Sequence, residues 1–89
     1  MQESTVTVIN KLGLHARAAA KLVTEASRFR STVDIGKDGK LVNGKSIMGV
    51  MMLAASKGTE LKIVTEGDDE QEAMTRIISL INDRFGEEE

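Results

Sequence analysis

Apolar residues alternate singly with polar ones in some stretches of the chain and recur every three to four residues in others, and these two periods divide it into strands and helices. Thr5-Val6-Thr7-Val8-Ile9 is β-branched throughout, with Val6 and Val8 set against threonines, and predicts a half-buried strand. Asn10 to Leu14 reads as a loop broken by Gly13. Ala19, Leu22, Val23 and Ala26 then fall at i, i+3, i+4 and i+7, which predicts an amphipathic helix from Ala16 to about Ser27. Val33 and Ile35 alternate in a second strand, Asp38-Gly39 is a two-residue hairpin signal, and Leu41-Val42 is the returning strand. Asn43-Gly44 turns the chain toward Ser46, placed as N-cap of a helix over Ile47 to about Leu53, and Gly58 closes that region. Leu61 and Ile63 mark a fourth strand at about Glu60 to Thr65. The last helix starts at Asp68-Asp69-Glu70, acidic residues that suit the positive end of its dipole. Its core stripe is Met74, Ile77, Ile78, Ile81 and Phe85.

The order is βαββαβα, with no internal repeat, linker or low-complexity segment. Such an order predicts an α/β (α+β) two-layer sandwich, with helices on one face of a mainly antiparallel sheet. The ferredoxin-like βαββαβ unit shares it, and the pattern does not separate the two strand arrangements. With 89 residues, the chain is expected to be one domain, residues 1–89.

Composition narrows the chemistry. Hydrophobic residues make up 40% of the chain but the only aromatics are Phe29 and Phe85, so the core must be aliphatic and rich in Met and Ala. There is no cysteine, which excludes disulfides and thiolate chemistry and fits a reducing compartment. No basic segment followed by an apolar run opens the chain, so no signal peptide is expected. The nearly apolar stretch from Ile47 to Ala55 is broken by Gly49 and falls short of the ~20 residues that a membrane span needs. A cytoplasmic protein without membrane insertion is expected. The net charge of -2 is unevenly placed: residues 1–45 hold eight Lys/Arg against four Asp/Glu, and residues 46–89 four against ten, ending in Glu87-Glu88-Glu89. Overall acidity without Trp or Tyr for base stacking speaks against a nucleic-acid binder.

The single histidine, His15, lies in the basic half, between the glycine loop and the first helix. That places it at or beside the N-cap, where unpaired backbone N–H groups and the positive end of the dipole favour an anion such as phosphate. The same field disfavours an imidazolium and keeps the ring nucleophilic. Arg17, two residues on, can fork onto phosphate oxygens, and Lys21 and Arg28 continue a basic strip. Against this stands the plainer reading of His15 as a capping or surface residue. Metal binding is poorly supported, with one His and no Cys where structural zinc takes four ligands. No carboxylate accompanies the histidine motif along the chain, which weighs against a phosphohydrolase needing a general acid or base.

At Gly13-Leu14-His15-Ala16-Arg17-Ala18-Ala19 the chain closely resembles the HPr family of bacterial phosphotransferase systems. Asn43-Gly44-Lys45-Ser46-Ile47-Met48-Gly49-Val50-Met51 matches the family's other signature, and the resemblance covers essentially the whole chain. It implies an open-faced β-sandwich of four antiparallel strands covered on one face by three helices. It also implies phosphoryl relay by a carrier that is not itself an enzyme: His15 would accept phosphate from phospho-Enzyme I, charged by phosphoenolpyruvate, and donate it to a IIA-type protein. The family uses the δ1 ring nitrogen, Arg17 matches the arginine that assists the phosphate, and the resemblance implies no metal or cofactor on the carrier itself. Carbohydrate-branch members usually carry proline where this chain has Ala18, and the His15 to Lys21 run looks more like the nitrogen-related branch, NPr. The expected output is thus sugar uptake or nitrogen and metabolic regulation.

Two further readings attach to the second signature. Ser46 is structurally an N-cap, and the resemblance adds regulatory phosphorylation by an HPr kinase/phosphorylase, which would place negative charge on a docking surface. In the following helix Ile47, Met48, Val50, Met51 and Met52 cover most of the circumference, where a surface helix should show one stripe. Either the helix is buried on two sides, or its methionines form an exposed face for several unlike partners. The resemblance favours the second, with Ala20, Ile47, Met48, Met51 and Met52 as partner-binding residues. A carrier presenting one face to successive partners is expected to be monomeric. The competing function is a non-catalytic regulatory binding module of the same fold, acting through that methionine-rich face.

Overall fold

The alternating segments form one antiparallel sheet. In a computed structural model that describes residues 1–89, β1 (Gln2–Thr7), β2 (Thr32–Lys37), β3 (Lys40–Asn43) and β4 (Glu60–Glu66) lie in the order β1-β4-β2-β3. β4 sits between β1 and β2, which decides the strand arrangement that the residue pattern left open. Helices α1 (Ala16–Ala26), α2 (Ile47–Met52) and α3 (Glu70–Asn82) lie on one face. This is the expected open-faced sandwich of four strands and three helices.

The sheet's two faces follow the alternation of β4. Leu61, Ile63 and Thr65 are buried, while Glu60, Lys62 and Glu66 are exposed on the uncovered side. There Lys62 pairs with Glu3 of β1 at 2.7 Å, an exposed ion pair of little energetic weight. The core between the layers joins Val6, Val33, Ile35, Leu61 and Ile63 of the sheet to Leu22, Val50, Met74, Ile77 and Ile81 of the helices. Fully burying one such aliphatic side chain contributes ~1.5–3 kcal/mol, so this layer dominates the stability of a chain with two aromatics. Three of the four buried residues of α1 are alanines, and the small side chains let its backbone approach α2 and α3 closely.

Boundaries differ from the sequence reading in β1, β3, β4 and α3, and β3 extends one residue beyond Leu41-Val42 at each end. β1 runs from Gln2 to Thr7 and not from Thr5 to Ile9: Gln2, Glu3 and Ser4 are drawn into register with Thr65, Val64 and Ile63, and the pairing ends at Thr7 with Glu60. Pairing with a neighbour here overrides weak strand propensity. β4 runs one residue further, to Glu66. α3 ends at Asn82, so Phe85 joins the core from a 3-10 turn, Arg84–Gly86, and not from the helix. Arg84 and Phe85 both adopt φ 55°. Each left-handed non-glycine residue costs roughly 1–2 kcal/mol, which the burial of the Phe85 ring offsets. The hairpin signal is realised as expected: Asp38 at φ 52° and Gly39 at φ 83° are the two left-handed residues of a type I′ turn closing Lys37 onto Lys40.

Candidate functional site

The loop before α1 is held by two close contacts. Gly13 has φ +67°, and a Cβ there would lie 2.6 Å from the Ala55 carbonyl oxygen and 2.8 Å from the Ser56 Cα, so only glycine fits. Leu14 N donates to the same Ala55 carbonyl at 2.8 Å. Inside the loop Asn10 is fully buried. Its Nδ2 donates to the Gly13 carbonyl at 2.8 Å and to Glu87 Oε1 at 3.0 Å. Both partners are acceptors, which fixes the orientation of the amide. Its Oδ1 is buried without a partner.

These contacts deliver His15 to the N-cap of α1, as the glycine loop and the alanine run predicted. Its backbone is extended (φ -74°, ψ 176°), and its carbonyl accepts from Ala19 N at 2.8 Å. The side chain makes no capping bond and stays 28% exposed. The ring is therefore not spent on closing the helix. Ala16 to Ala18 supply helical N–H groups beside it that have no intrahelical acceptor. Arg17 is exposed in the first turn and is in no ion pair.

A carboxylate does accompany the histidine, contrary to the reading along the chain. Glu87, from the acidic terminus, hydrogen-bonds through Oε2 to His15 Nε2. The bond from His15 foremost, then that from Asn10 and the charge of Lys21, hold the Glu87 carboxyl below the usual carboxylate range. Lys21 also departs from expectation. Its Nζ donates to the Phe85 carbonyl at 2.6 Å and pins the terminal segment, so it is not a free member of a basic strip. Arg28 pairs with Glu25 at 3.4 Å one turn away on the surface. Further along, Lys11 holds Glu89 through a backbone bond and a side-chain ion pair at 3.4 Å. Between terminus and loop lies an open groove of about 750 Å³ that His15, Ala16 and Arg17 line from the helix side.

The second signature folds into its own cap. Ser46 Oγ accepts from Gly49 N at 3.2 Å at the start of α2. Of the apolar residues in that helix only Val50 is buried, whereas Met48 and Met52 are 73% and 66% exposed and Ile47 and Met51 are exposed by lesser margins. The reading of α2 as buried on two sides is thereby overturned. Ala20 is half-buried on α1, which packs against α2. Leu12, beside His15, adds an exposed apolar side chain that the residue pattern did not single out. Glu87 and Asn10 were missed as well. The one signal for Glu87 was an acidic tail in a chain whose histidine lies in a basic half.

Residues 2–83 match the family model described as PTS HPr component phosphorylation site. The chain is similar to the phosphocarrier protein HPr of Neisseria meningitidis serogroup A, 54% identical over 89 residues and all of both chains. Among solved structures, HPr-C-His from Thermoanaerobacter tengcongensis superposes with a TM-score of 0.96 at 50% identity, covering all of both chains. An HPr dimer from the same organism gives 0.79 at 50% identity, over 98% of this chain and 100% of that one.

Proposed function

The chain belongs to the HPr family of phosphocarrier proteins of the phosphotransferase system, and on that footing we propose that it relays a phosphoryl group through Nδ1 of His15. Phospho-Enzyme I supplies the group and a IIA-type protein in the cytoplasm receives it. The Nδ1 lone pair forms the bond to phosphorus as the bond from phosphorus to the donor breaks, and that bond's electron pair stays with the donor. The return step is the same exchange toward the acceptor.

The observation that carries this reading is the state of the histidine: an N-cap whose side chain does no capping, partly exposed on a groove beside a guanidinium without an ion-pair partner. The free N–H groups of the first turn and Arg17 together offer donors to phosphoryl oxygens. The one carboxylate bonded to the ring, Glu87, is engaged at Nε2 and not at the nitrogen that takes the phosphate, which supports holding the group for a protein acceptor. The exposed row Ile47, Met48, Met51 and Met52, with Ala20, serves as the docking face for both partners. Ser46 at its edge is where a kinase would alter docking through charge. A monomer suits a carrier that offers one face in turn, although the dimer from Thermoanaerobacter shows that the fold also pairs. Ala18 in place of proline, within the run from His15 to Lys21, favours the nitrogen-related branch.

The test is delivery. Protein phosphorylated at His15 and freed of donor is mixed with a IIA-type protein, and radiolabel is followed in both. Loss from the chain matched by gain in the acceptor supports the relay; release as inorganic phosphate at the same rate with and without acceptor contradicts it.

A further inference from the structure

The acidic terminus is bound into the site by three independent anchors. Lys21 Nζ holds the Phe85 carbonyl at 2.6 Å, Asn10 Nδ2 holds Glu87 Oε1 at 3.0 Å, and Lys11 pairs with Glu89. Their combined effect is to fix the remaining Glu87 oxygen on His15 Nε2. Asn10 is the pivotal anchor, because the same amide group holds the Gly13 carbonyl and so couples the loop that carries the histidine to the carboxylate that meets it.

We infer that Glu87 is a positioning residue for phosphoryl transfer, holding the Nε2 proton so that Nδ1 alone is the nucleophile and the ring's developing positive charge is balanced. This inference rests on the relay reading above. An ionised carboxylate only accepts, so the neutral ring must carry its proton on Nε2 and its lone pair on Nδ1. When that lone pair is committed to phosphorus the imidazole becomes cationic, with the Nε2 proton retained and directed at Glu87. The carboxylate thus gains its strongest partner in the transition state and the phosphorylated form, and differential stabilisation of that kind raises a rate. A buried aspartate plays the corresponding part behind the histidine of a serine protease triad. Here the pair is partly exposed, with side chains 28% and 19% accessible, so the effect is about tenfold and not the thousands seen in dry sites. On the return step the same carboxylate holds the ring until the acceptor takes the phosphate, and the Nε2 proton never leaves the carrier.

The deciding experiment compares wild type, Glu87→Gln and Glu88→Gln in single-turnover acceptance from phospho-Enzyme I across donor concentrations, with the His15 ring labelled with nitrogen-15 for NMR. Glu87→Gln keeps a hydrogen-bond acceptor and removes the charge; Glu88→Gln removes an equal charge from a neighbour that has no bond to His15. The expected result is a saturated rate about tenfold lower for Glu87→Gln at an unchanged half-saturating concentration, less than twofold change for Glu88→Gln, and a wild-type ring protonated at Nε2. Equal rates in the two variants, an effect confined to half-saturation, or a wild-type ring protonated at Nδ1 would each overturn the inference. Wild-type acceptance that ignores Glu87 removes this inference alone; absence of acceptance by wild type removes the relay and this inference with it.

Discussion

Asn10 and Glu87, 77 positions apart, are joined by a hydrogen bond of 3.0 Å from Asn10 Nδ2 to Glu87 Oε1. Through that bond a fully buried loop residue and the acidic end of the chain together define the surroundings of His15. Asn10→Asp replaces the double donor with a carboxylate facing a carbonyl and a second carboxylate inside the fold. A destabilisation of about 3 kcal/mol at neutral pH is expected, larger than that of Asn10→Ala, because a buried unpaired charge costs more than a lost bond. Urea unfolding of the three proteins checks the order; equal stability of Asn10→Asp and wild type would mean that the loop opens to water.

The exposed methionines should be separable from the core. Met48→Glu is expected to leave stability within about 0.5 kcal/mol and to weaken Enzyme I binding by tenfold or more, the signature of an interface anchor. Calorimetric titration beside thermal unfolding distinguishes the two effects. A large drop in stability with intact binding would place the side chain among the core residues.

Ser46 can be tested as cap and as switch in one series. Ser46→Ala removes the acceptor for Gly49 N and is expected to cost about 1 kcal/mol. Ser46→Asp retains a good cap, so its stability should match wild type, and any loss of Enzyme I affinity then reports charge on the docking face. Unchanged affinity in Ser46→Asp would leave the serine a capping residue only.

Acid stability has an identifiable contributor away from the site. Asp69 accepts from the Ser31 hydroxyl and from the backbone N–H groups of Ser31 and Arg30, which hold its carboxyl at about 2 against an ordinary 3.8. A carboxyl whose pKa is depressed on folding stabilises the fold fully above its unfolded value, and the contribution disappears as pH falls through the folded value. The stability gap between wild type and Asp69→Asn should accordingly be constant above about pH 4 and narrow toward pH 2. A gap that is flat across this range would show that the hydrogen bonds do not distinguish the ionised form.

Strands, helices and the place of His15 were legible in the residues because each rests on local rules. Alternation of Leu61 and Ile63 sets the buried face of β4, the Asp38-Gly39 pair sets a left-handed turn, and Gly13 followed by alanines starts a helix at His15. What was not legible depends on the path of the chain through space. Gln2 to Ser4 become strand only because β4 is beside them, and the left-handed backbone of Phe85 exists only because its ring finds the core. The contact of Glu87 with His15 spans 72 positions and passes through that same turn, so no periodicity could announce it. The bond of Lys21 to the Phe85 carbonyl was hidden for the same reason.

The central claim is that His15 itself takes the phosphate. Intact mass of wild type and His15→Ala, each incubated with Enzyme I, magnesium and phosphoenolpyruvate, tests it most directly. Gain of one phosphoryl group that is lost in acid and never appears in His15→Ala is the predicted result. A gain that persists in His15→Ala, or no gain in wild type, would contradict it.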